Sequence, residues 1–418
     1  MSLTATRRRL LQLGLAGGLV PALSLPFLSR PARAEGSAAD RRFLFIFCQG
    51  GWDPAWAFAP LFDSGRVDMP SEAAAAEVEG IPFVDVAAAP SVRGFFEQFG
   101  DQTCVINGLE IQAVAHSACE RIAMTNSATE GGDDWAAILA GNAHTAPLIP
   151  HLHVSGPAFG NRFASSIVRG GTSGQLASLL DGEALARSDL PAGGLSESAL
   201  RLADARSLAR AQRWASTAPA GRGAQLGEAA VAAEGALGEL TDLSDMLVQG
   251  GSTALVDRLA LPLAALSAGV SRTAMVSYKA WDNVFNGWDT HQDVSLQANH
   301  YEELFAALTT VLPALGSNTT VVVLSEMGRF PRINTTGGKD HWTYTSAMLI
   351  GAGVAGGQAI GAYDSELLGL PVDLASGALH SGGTSLLAGH LGATLLALGD
   401  VDPAEYVRGA SPILAAIR

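Results

Sequence analysis

The chain has 418 residues, 48% of them hydrophobic, and a formal net charge of −14 at pH 7. A chain of this length and apolar content can bury one large core. Its acidity repels nucleic-acid phosphates and anionic lipid surfaces, so we expect no nucleic-acid partner and no binding to charged membrane surfaces.

The first 34 residues are typical of an export signal. Arg7 and Arg8 precede an apolar stretch from Leu10 to about Leu28, and Ala32-Arg33-Ala34 offers the small residues that a signal peptidase recognises. We expect a twin-arginine signal peptide over residues 1–34 and cleavage after Ala34, with the twin-arginine export machinery as a partner. Removing five arginines and no acid takes the net charge from −14 to −19. The mature protein is then periplasmic or secreted.

An uncleaved membrane anchor is the alternative, because the apolar stretch approaches the length of a bilayer span. Glycine and proline residues interrupt it, which favours a cleaved signal and no stable membrane insertion afterwards. We expect residues 35–418 to form a single domain. Cys48, Cys104 and Cys119 are too few for a disulfide framework, although a bridge between Cys104 and Cys119 stays open.

The first predicted strand is Phe43–Cys48, an unbroken apolar run that ends in Gln49-Gly50-Gly51-Trp52-Asp53. Such a run is typical of a strand buried on both faces. Asp53 then lies just past the carboxyl end of the strand, where ligands bind in open α/β sheets. A second strand, Thr103–Ile106, leads to a helix that begins near His116.

Residues from about 178 to 270 predict a helical insertion that covers the sheet. They include two segments, near 196–216 and 227–249, rich in Ala, Leu, Glu and Arg at helical spacing. The α/β alternation then returns in five predicted elements: a strand at Thr273–Tyr278, a helix at Val294–Leu315, strands at Thr320–Leu324 and Ala347–Ile350, and a helix at Ser385–Ala397.

Acidic and imidazole side chains follow these strands at widely separated points: Asp53, Asp289, His291, Glu326, Asp340 and His341. If the strands are parallel neighbours, the six meet on one edge of the sheet. Carboxylate and imidazole groups are ligands of zinc, manganese or iron in sites that activate water or polarise a phosphoryl or sulfuryl oxygen. The pattern therefore predicts a metal site at this edge.

Each of these residues also has an ordinary structural interpretation. Asp53 follows a glycine turn and could simply form it. Glu326 could pair with Arg329 or Lys339, and His341 could be a hydrogen-bonded core histidine. Arg329 itself is suited to binding a phosphate or sulfate, because its guanidinium can donate to an anion in bidentate fashion.

Three motifs resemble those of the exported bacterial family catalogued as domain of unknown function 1501. They are Gly287–His291, Ser325–Asn334 and Gly338–Trp342, and both Gly50-Gly51-Trp52-Asp53 and Leu398-Gly399 fit as well. That family is similar to the alkaline phosphatase and sulfatase superfamily. The resemblance implies a three-layer α/β sandwich with a mostly parallel central sheet and a helical insertion.

The resemblance also implies roles for particular residues. Asp53, Asp289, His291, Asp340 and His341 would hold a divalent metal, which could be zinc, manganese, iron or calcium. Glu326 would serve as a ligand or general base, and Arg329 would bind the anion. A nucleophile would start the helix after the second strand, where Ser117 is nearest by position.

We therefore expect a metal-dependent hydrolase acting on a small anionic phosphate or sulfate ester. The alternative is a catalytically inactive binding or assembly protein that keeps the fold. Two observations favour it: Glu326-Met327 stands where the superfamily has an Asp-His pair, and no nucleophile signature surrounds Ser117. The commoner role of a serine at this position is to cap its helix.

Overall fold

The structure, a computed structural model, describes residues 38–144, 147–170, 197–217, 227, 231, 254–278 and 287–418. The expected signal peptide at 1–34 lies outside these described residues, as does much of the expected insertion at 178–270.

Twelve strands occur in the described part of the chain: β1 (Arg42–Cys48), β2 (Ala73–Val78), β3 (Ile81–Val86), β4 (Thr103–Glu110), β5 (His151–His153), β6 (Ile167–Arg169), β7 (Thr273–Tyr278), β8 (Thr319–Leu324), β9 (Gly328–Arg329), β10 (His341–Trp342), β11 (Tyr344–Gly351) and β12 (Gln358–Ile360). Eight form the central sheet in the order β12-β4-β11-β8-β1-β7-β5-β6. Within it, β11 is antiparallel to both of its neighbours and the other seven strands run in one direction.

Seven α-helices are described over the same ranges: α1 (Pro90–Phe99), α2 (His116–Thr125), α3 (Trp135–Gly141), α4 (Glu197–Thr217), α5 (Leu255–Ala268), α6 (Leu296–Val311) and α7 (Ala388–Leu398). α6 is shorter than predicted, since Pro313 follows it inside a 3₁₀ turn and cannot continue an α-helix. Two short pairs, β2 with β3 and β9 with β10, lie outside the central sheet.

The apolar run of β1 is explained by burial on both faces of the sheet. Leu44, Ile46 and Cys48 pack into a core that also contains side chains of α1, α5 and α6. Phe43, Phe45 and Phe47 alternate with them and pack into a second core, formed with α2, α3 and α7. The predicted three-layer α/β fold with a mostly parallel central sheet is confirmed.

The direction of β11 decides which edge of the sheet its preceding loop reaches. Because β11 is antiparallel to β8, its first residue, Tyr344, lies at the edge where β8 and β1 have their carboxyl ends. His341, three residues earlier, therefore reaches the same edge as Asp53, which follows β1.

The three cysteines are all buried and free, so no disulfide joins Cys104 of β4 to Cys119 of α2. Burial raises the pKa of each of these two thiols to about 12, which keeps them protonated. None of the helices described by the structure is both long and apolar enough to cross a membrane.

Candidate metal site

Three side chains from separate segments converge at the carboxyl edge of the sheet. His116 begins α2, Asp289 follows β7 and His341 begins β10. One ligand atom from each lies within 4.8 Å of the others, and this is the metal-type cluster found among the described residues. His116 Nε2 is 3.3 Å from Asp289 Oδ2, and His341 Nε2 is 3.9 Å from Asp289 Oδ1. Two imidazoles and a carboxylate are a donor set that zinc or iron binds with positions left open.

The second ring nitrogen of each of these histidines is already held. His116 Nδ1 lies 2.9 Å from Glu326 Oε1, and His341 Nδ1 lies 2.7 Å from the carbonyl oxygen of Val114. Histidines that bind metals commonly donate their other N–H to a carboxylate or a backbone carbonyl, which fixes the tautomer and the ring. Both Nε2 atoms are thus left to face Asp289. This arrangement fits a metal ion.

Asp289 is kept ionised by its surroundings. His291 Nδ1 lies 2.7 Å from Oδ1, and Arg329 Nη2 lies 2.8 Å from the same oxygen. Burial raises the pKa of Asp289, but hydrogen bonds with His116 and His341 and the charge of Arg329 outweigh burial and hold the pKa well below its usual range. The carboxylate is therefore available to a cation over the whole physiological pH range.

The pKa of His116 reflects its position between two carboxylates. Burial lowers it, but hydrogen bonds to Asp289 and Glu326 raise it further, to about 9. The ring is thus an imidazolium at neutral pH while its nitrogens face only these acids. A metal ion would take the place of one ring proton, because a ligating imidazole is neutral.

Glu326 is wholly buried behind His116. Its Oε1 also accepts a hydrogen bond from the backbone N–H of Gly50 at 2.7 Å, and its Oε2 accepts from Ser325 Oγ at 3.2 Å. The carboxylate therefore faces a histidine, a serine hydroxyl and a backbone N–H. Its contacts are those of a residue that orients His116.

Arg329 is also wholly buried. Its Nε donates to the carbonyl of Gly51 at 2.9 Å, Nη1 to the carbonyl of Lys339 at 3.2 Å, and Nη2 to the carbonyl of Gly50. Gly51 has φ +88°, and a Cβ there would meet Met327 and the Arg329 guanidinium, so this position requires glycine. The guanidinium is used by backbone carbonyls and Asp289, and it does not face solvent.

The remaining residues predicted from sequence lie outside the three-residue cluster. The Asp53 carboxylate is 2.7 Å from the ammonium of Lys339. Asp340 is exposed, and its Oδ1 accepts from Asn334 Nδ2 at 2.9 Å. Ser117 is exposed in the first turn of α2, whose N-cap residue is Ala115, so Ser117 does not provide the cap.

His116 is the site residue that sequence reasoning did not assign as a ligand. It follows β4 just as Asp53 follows β1, so its position after a strand was the available signal. The loop of five residues between β4 and His116 obscured that relation.

Fold and site together define a three-layer α/β protein with a candidate metal site at the carboxyl edge of its sheet. Residues 40–373 match the family described as "Protein of unknown function (DUF1501)", and the chain belongs to this family. The resemblance seen in the three motifs is thereby confirmed. No curated protein sequence matches the chain.

Several solved structures are similar in fold. The lipoteichoic acid synthase LtaP from Listeria monocytogenes has a TM-score of 0.43 and 8% identity, over 91% of this chain and 77% of that one. The lipooligosaccharide phosphoethanolamine transferase EptA from Neisseria meningitidis has a TM-score of 0.41 and 12% identity, over 93% and 59%. A 2-O GAG sulfatase has a TM-score of 0.38 and 9% identity, over 89% and 73%. These likenesses concern the fold alone.

Proposed function

We propose that this protein binds one divalent metal ion at His116, Asp289 and His341 and hydrolyses a phosphate or sulfate ester outside the cytoplasm. The observation that carries the proposal is the convergence of two imidazoles and a carboxylate, from three segments, within 4.8 Å. The histidine side chains are 22% and 31% exposed, so the position they surround is open to a small ligand.

The charges around the cluster support a divalent cation. Asp289 and Glu326 are acidic and Arg329 is basic, so with neutral histidines the net charge of this group is −1. A divalent ion changes the net charge to +1, which favours an anionic ester at the open face.

The chain's own residues hold and orient this centre. A divalent ion so bound would lower the pKa of a water molecule and polarise the ester. His116 and His341 present Nε2 because Glu326 and the Val114 carbonyl fix their rings. Arg329 positions Asp289. In the reaction the water oxygen bonds to phosphorus or sulfur, the ester bond breaks, and the alcohol leaves with a proton.

Ser117 and His291 have narrower roles in this proposal. His291 orients Asp289 through the 2.7 Å contact of its Nδ1, and its partly exposed ring lies beside the open face. Ser117, exposed one residue after His116, supplies the hydroxyl that a covalent route would use. Binding of the metal does not require it.

Metal analysis of the mature protein, purified from an export-competent host, tests the proposal. We expect one zinc, manganese or iron ion per chain in the wild type, because imidazole ligands suit these metals better than calcium, and none in Asp289→Asn or His341→Ala. His380→Ala, which changes an exposed histidine away from the cluster, is the matched control and should keep the ion. Hydrolysis of p-nitrophenyl phosphate or p-nitrophenyl sulfate should follow metal content. A folded wild type that holds and takes up no ion contradicts the proposal.

A second candidate function is ligand binding without catalysis, and the Asp53–Lys339 contact favours it. A carboxylate that was predicted to bind metal is paired with an ammonium group at 2.7 Å. Tight metal binding and phosphate or sulfate binding, without turnover of either ester, would select this second function.

A further inference from the structure

A buried ion pair joins Asp53 and Lys339 beside the candidate metal site. Asp53 Oδ2 lies 2.7 Å from Lys339 Nζ, and both side chains are 0% exposed. In the described part of the chain neither atom has a hydrogen-bond partner, so the two charged groups are joined by the ion pair alone. An ammonium group carries three N–H donors and is strongly hydrated in water. Among the described residues, the carboxylate of Asp53 is the acidic group that forms an ion pair with it.

Asp53 is fixed in place by its own backbone and by α6. Its Oδ1 accepts from the N–H of Ala55 at 3.0 Å, and its N–H donates to Gln297 Oε1 at 3.0 Å. Its carbonyl accepts from the hydroxyl of Tyr301 at 3.0 Å. One carboxylate oxygen is thus held by the backbone, and Lys339 contacts the other, Oδ2.

Lys339 is anchored by the same segments that build the metal cluster. Its N–H donates to the carbonyl of Thr290, next to Asp289, and its carbonyl accepts from Arg329 Nη1 at 3.2 Å. Two residues later the chain reaches His341. The ammonium group is thus a fixed part of the site's surroundings.

The count of buried charges limits the number of metal ions. With the histidines neutral, as they are when they hold a metal ion, three carboxylates from Asp53, Asp289 and Glu326 face two cations from Arg329 and Lys339, which leaves −1. One divalent ion gives +1, whereas two would give +3. An uncompensated buried charge of that size is strongly unfavourable.

We infer that the ammonium group of Lys339 occupies the position beside Asp53 Oδ2 where a divalent ion would otherwise bind. A divalent ion therefore cannot bind to Asp53, and the site takes one metal ion. Asp289 differs because its carboxylate also faces the ring nitrogens of two partly exposed histidines, which can serve as further ligands of an ion. The inference rests on the proposed function for the ion at His116, Asp289 and His341, but the effect of Lys339 is measurable without that ion.

The experiment counts zinc equivalents in four proteins: wild type, Lys339→Ala, Asp53→Asn and the double variant Asp53→Asn/Lys339→Ala. Each is stripped with a chelator and titrated with Zn²⁺ alone, in a calorimeter and by elemental analysis. We expect Lys339→Ala to bind one equivalent more than the wild type, since removal of the ammonium leaves space and a free carboxylate. The double variant should lose that extra equivalent, and Asp53→Asn should keep the wild-type number.

Two results would overturn the inference: no additional zinc in folded Lys339→Ala, or the loss of one equivalent in Asp53→Asn, which would make Asp53 a ligand of the native metal. If Lys339→Ala does not fold, the Asp53→Asn count still decides. A wild type that binds no zinc would refute the proposed function but not the inference about Lys339. The difference in zinc equivalents between Lys339→Ala and the wild type would still test that inference.

Discussion

The two edges of the central sheet use charged side chains in different ways. At the amino edge, Arg41 donates to the carbonyl of Leu398 at 2.5 Å, and Arg42 donates to the carbonyl of Leu266 at 2.6 Å. Arg272 donates to the carbonyls at the ends of α3 and α7. Helix carboxyl ends have unpaired carbonyls and a partial negative charge, which arginine satisfies.

At the carboxyl edge each buried carboxylate has a basic or imidazole side chain as a partner. Asp289 contacts Arg329 and histidines, and Glu326 contacts His116. Backbone carbonyls are permanent partners, whereas imidazoles can release a proton and accept a metal ion. The difference is the one expected if the amino edge stabilises the fold and the carboxyl edge holds the proposed metal site.

The variant Arg272→Met is the strongest test of this difference between the two edges of the sheet. Arg272 is 4% exposed, and its guanidinium donates to Leu139 at 2.7 Å and to Gly399 at 2.5 Å. Loss of two charged hydrogen bonds, at about 2 kcal/mol each, should lower the free energy of unfolding by about 4 kcal/mol. Urea denaturation measures this change. Metal affinity should stay within about threefold of the wild type.

Arg408→Met, at an exposed arginine, is the control for Arg272→Met and should change stability by less than about 0.5 kcal/mol. If Arg272→Met abolished metal binding while the protein stayed folded, the separation of the two edges would be wrong.

Asp134 is a buried carboxylate with a structural role. Its substitution should have the second largest effect on the free energy of unfolding. It caps the start of α3, the helix whose end Arg272 binds, and it accepts from Ala137 N–H at 2.7 Å and Phe159 N–H at 2.9 Å. Burial raises its pKa to about 6, although these backbone donors lower it. Between about pH 4 and 6 the unfolded chain loses this proton while the folded chain keeps it, so stability falls as pH rises.

Asp134→Asn should remove that pH dependence. The difference in unfolding free energy between wild type and Asp134→Asn should fall by about 3 kcal/mol from about pH 3 to pH 7 and stay constant above. Urea denaturation at several pH values measures the difference. A difference that is the same at every pH would show that Asp134 has no raised pKa.

Much of the fold could be predicted because burial on both faces leaves an unbroken apolar run. β1, β7 and β8 were predicted for this reason, and each is buried at nearly every position. The β2–β3 hairpin could not be, since β2 is an alanine-rich, largely exposed segment without alternation. The direction of β11 could not be predicted from the sequence either, because it depends on the strands that β11 pairs with and not on its own residues.

The rule that ligands bind just past the carboxyl ends of the strands located the region of the site, but it could not assign the contacts within that region. Asp289 and His341 come together as the rule requires, at 3.9 Å between Oδ1 and Nε2. Whether Asp53 would face a metal or Lys339 depended on where Lys339 turns after β9, and the spacing of residues carries no such information. The identity of a carboxylate's partner is a property of tertiary packing.

Glu326→Gln has the smallest expected effect and tests how the carboxyl edge works. Its Oε1 accepts from Gly50 N–H and faces His116 Nδ1, so we expect the charge of Glu326 to orient the ring without contacting the proposed ion. Changing a residue that supports a metal-binding histidine commonly lowers affinity 10–100-fold. We expect about a tenfold loss for Glu326→Gln, because glutamine keeps the shape and the hydrogen bond from Gly50. Competition with a chelator measures the affinity.

Glu120→Gln is the matched control, since Glu120 lies one turn further along α2 and contacts Gln49 instead of His116. It should leave metal affinity unchanged. Equal losses in the two variants would mean that general negative charge around α2, and not the oriented His116 ring, governs binding. A loss of all metal in Glu326→Gln would instead indicate that Glu326 is itself a ligand. The ion would then bind closer to this buried carboxylate than the partly exposed His116 and His341 suggest.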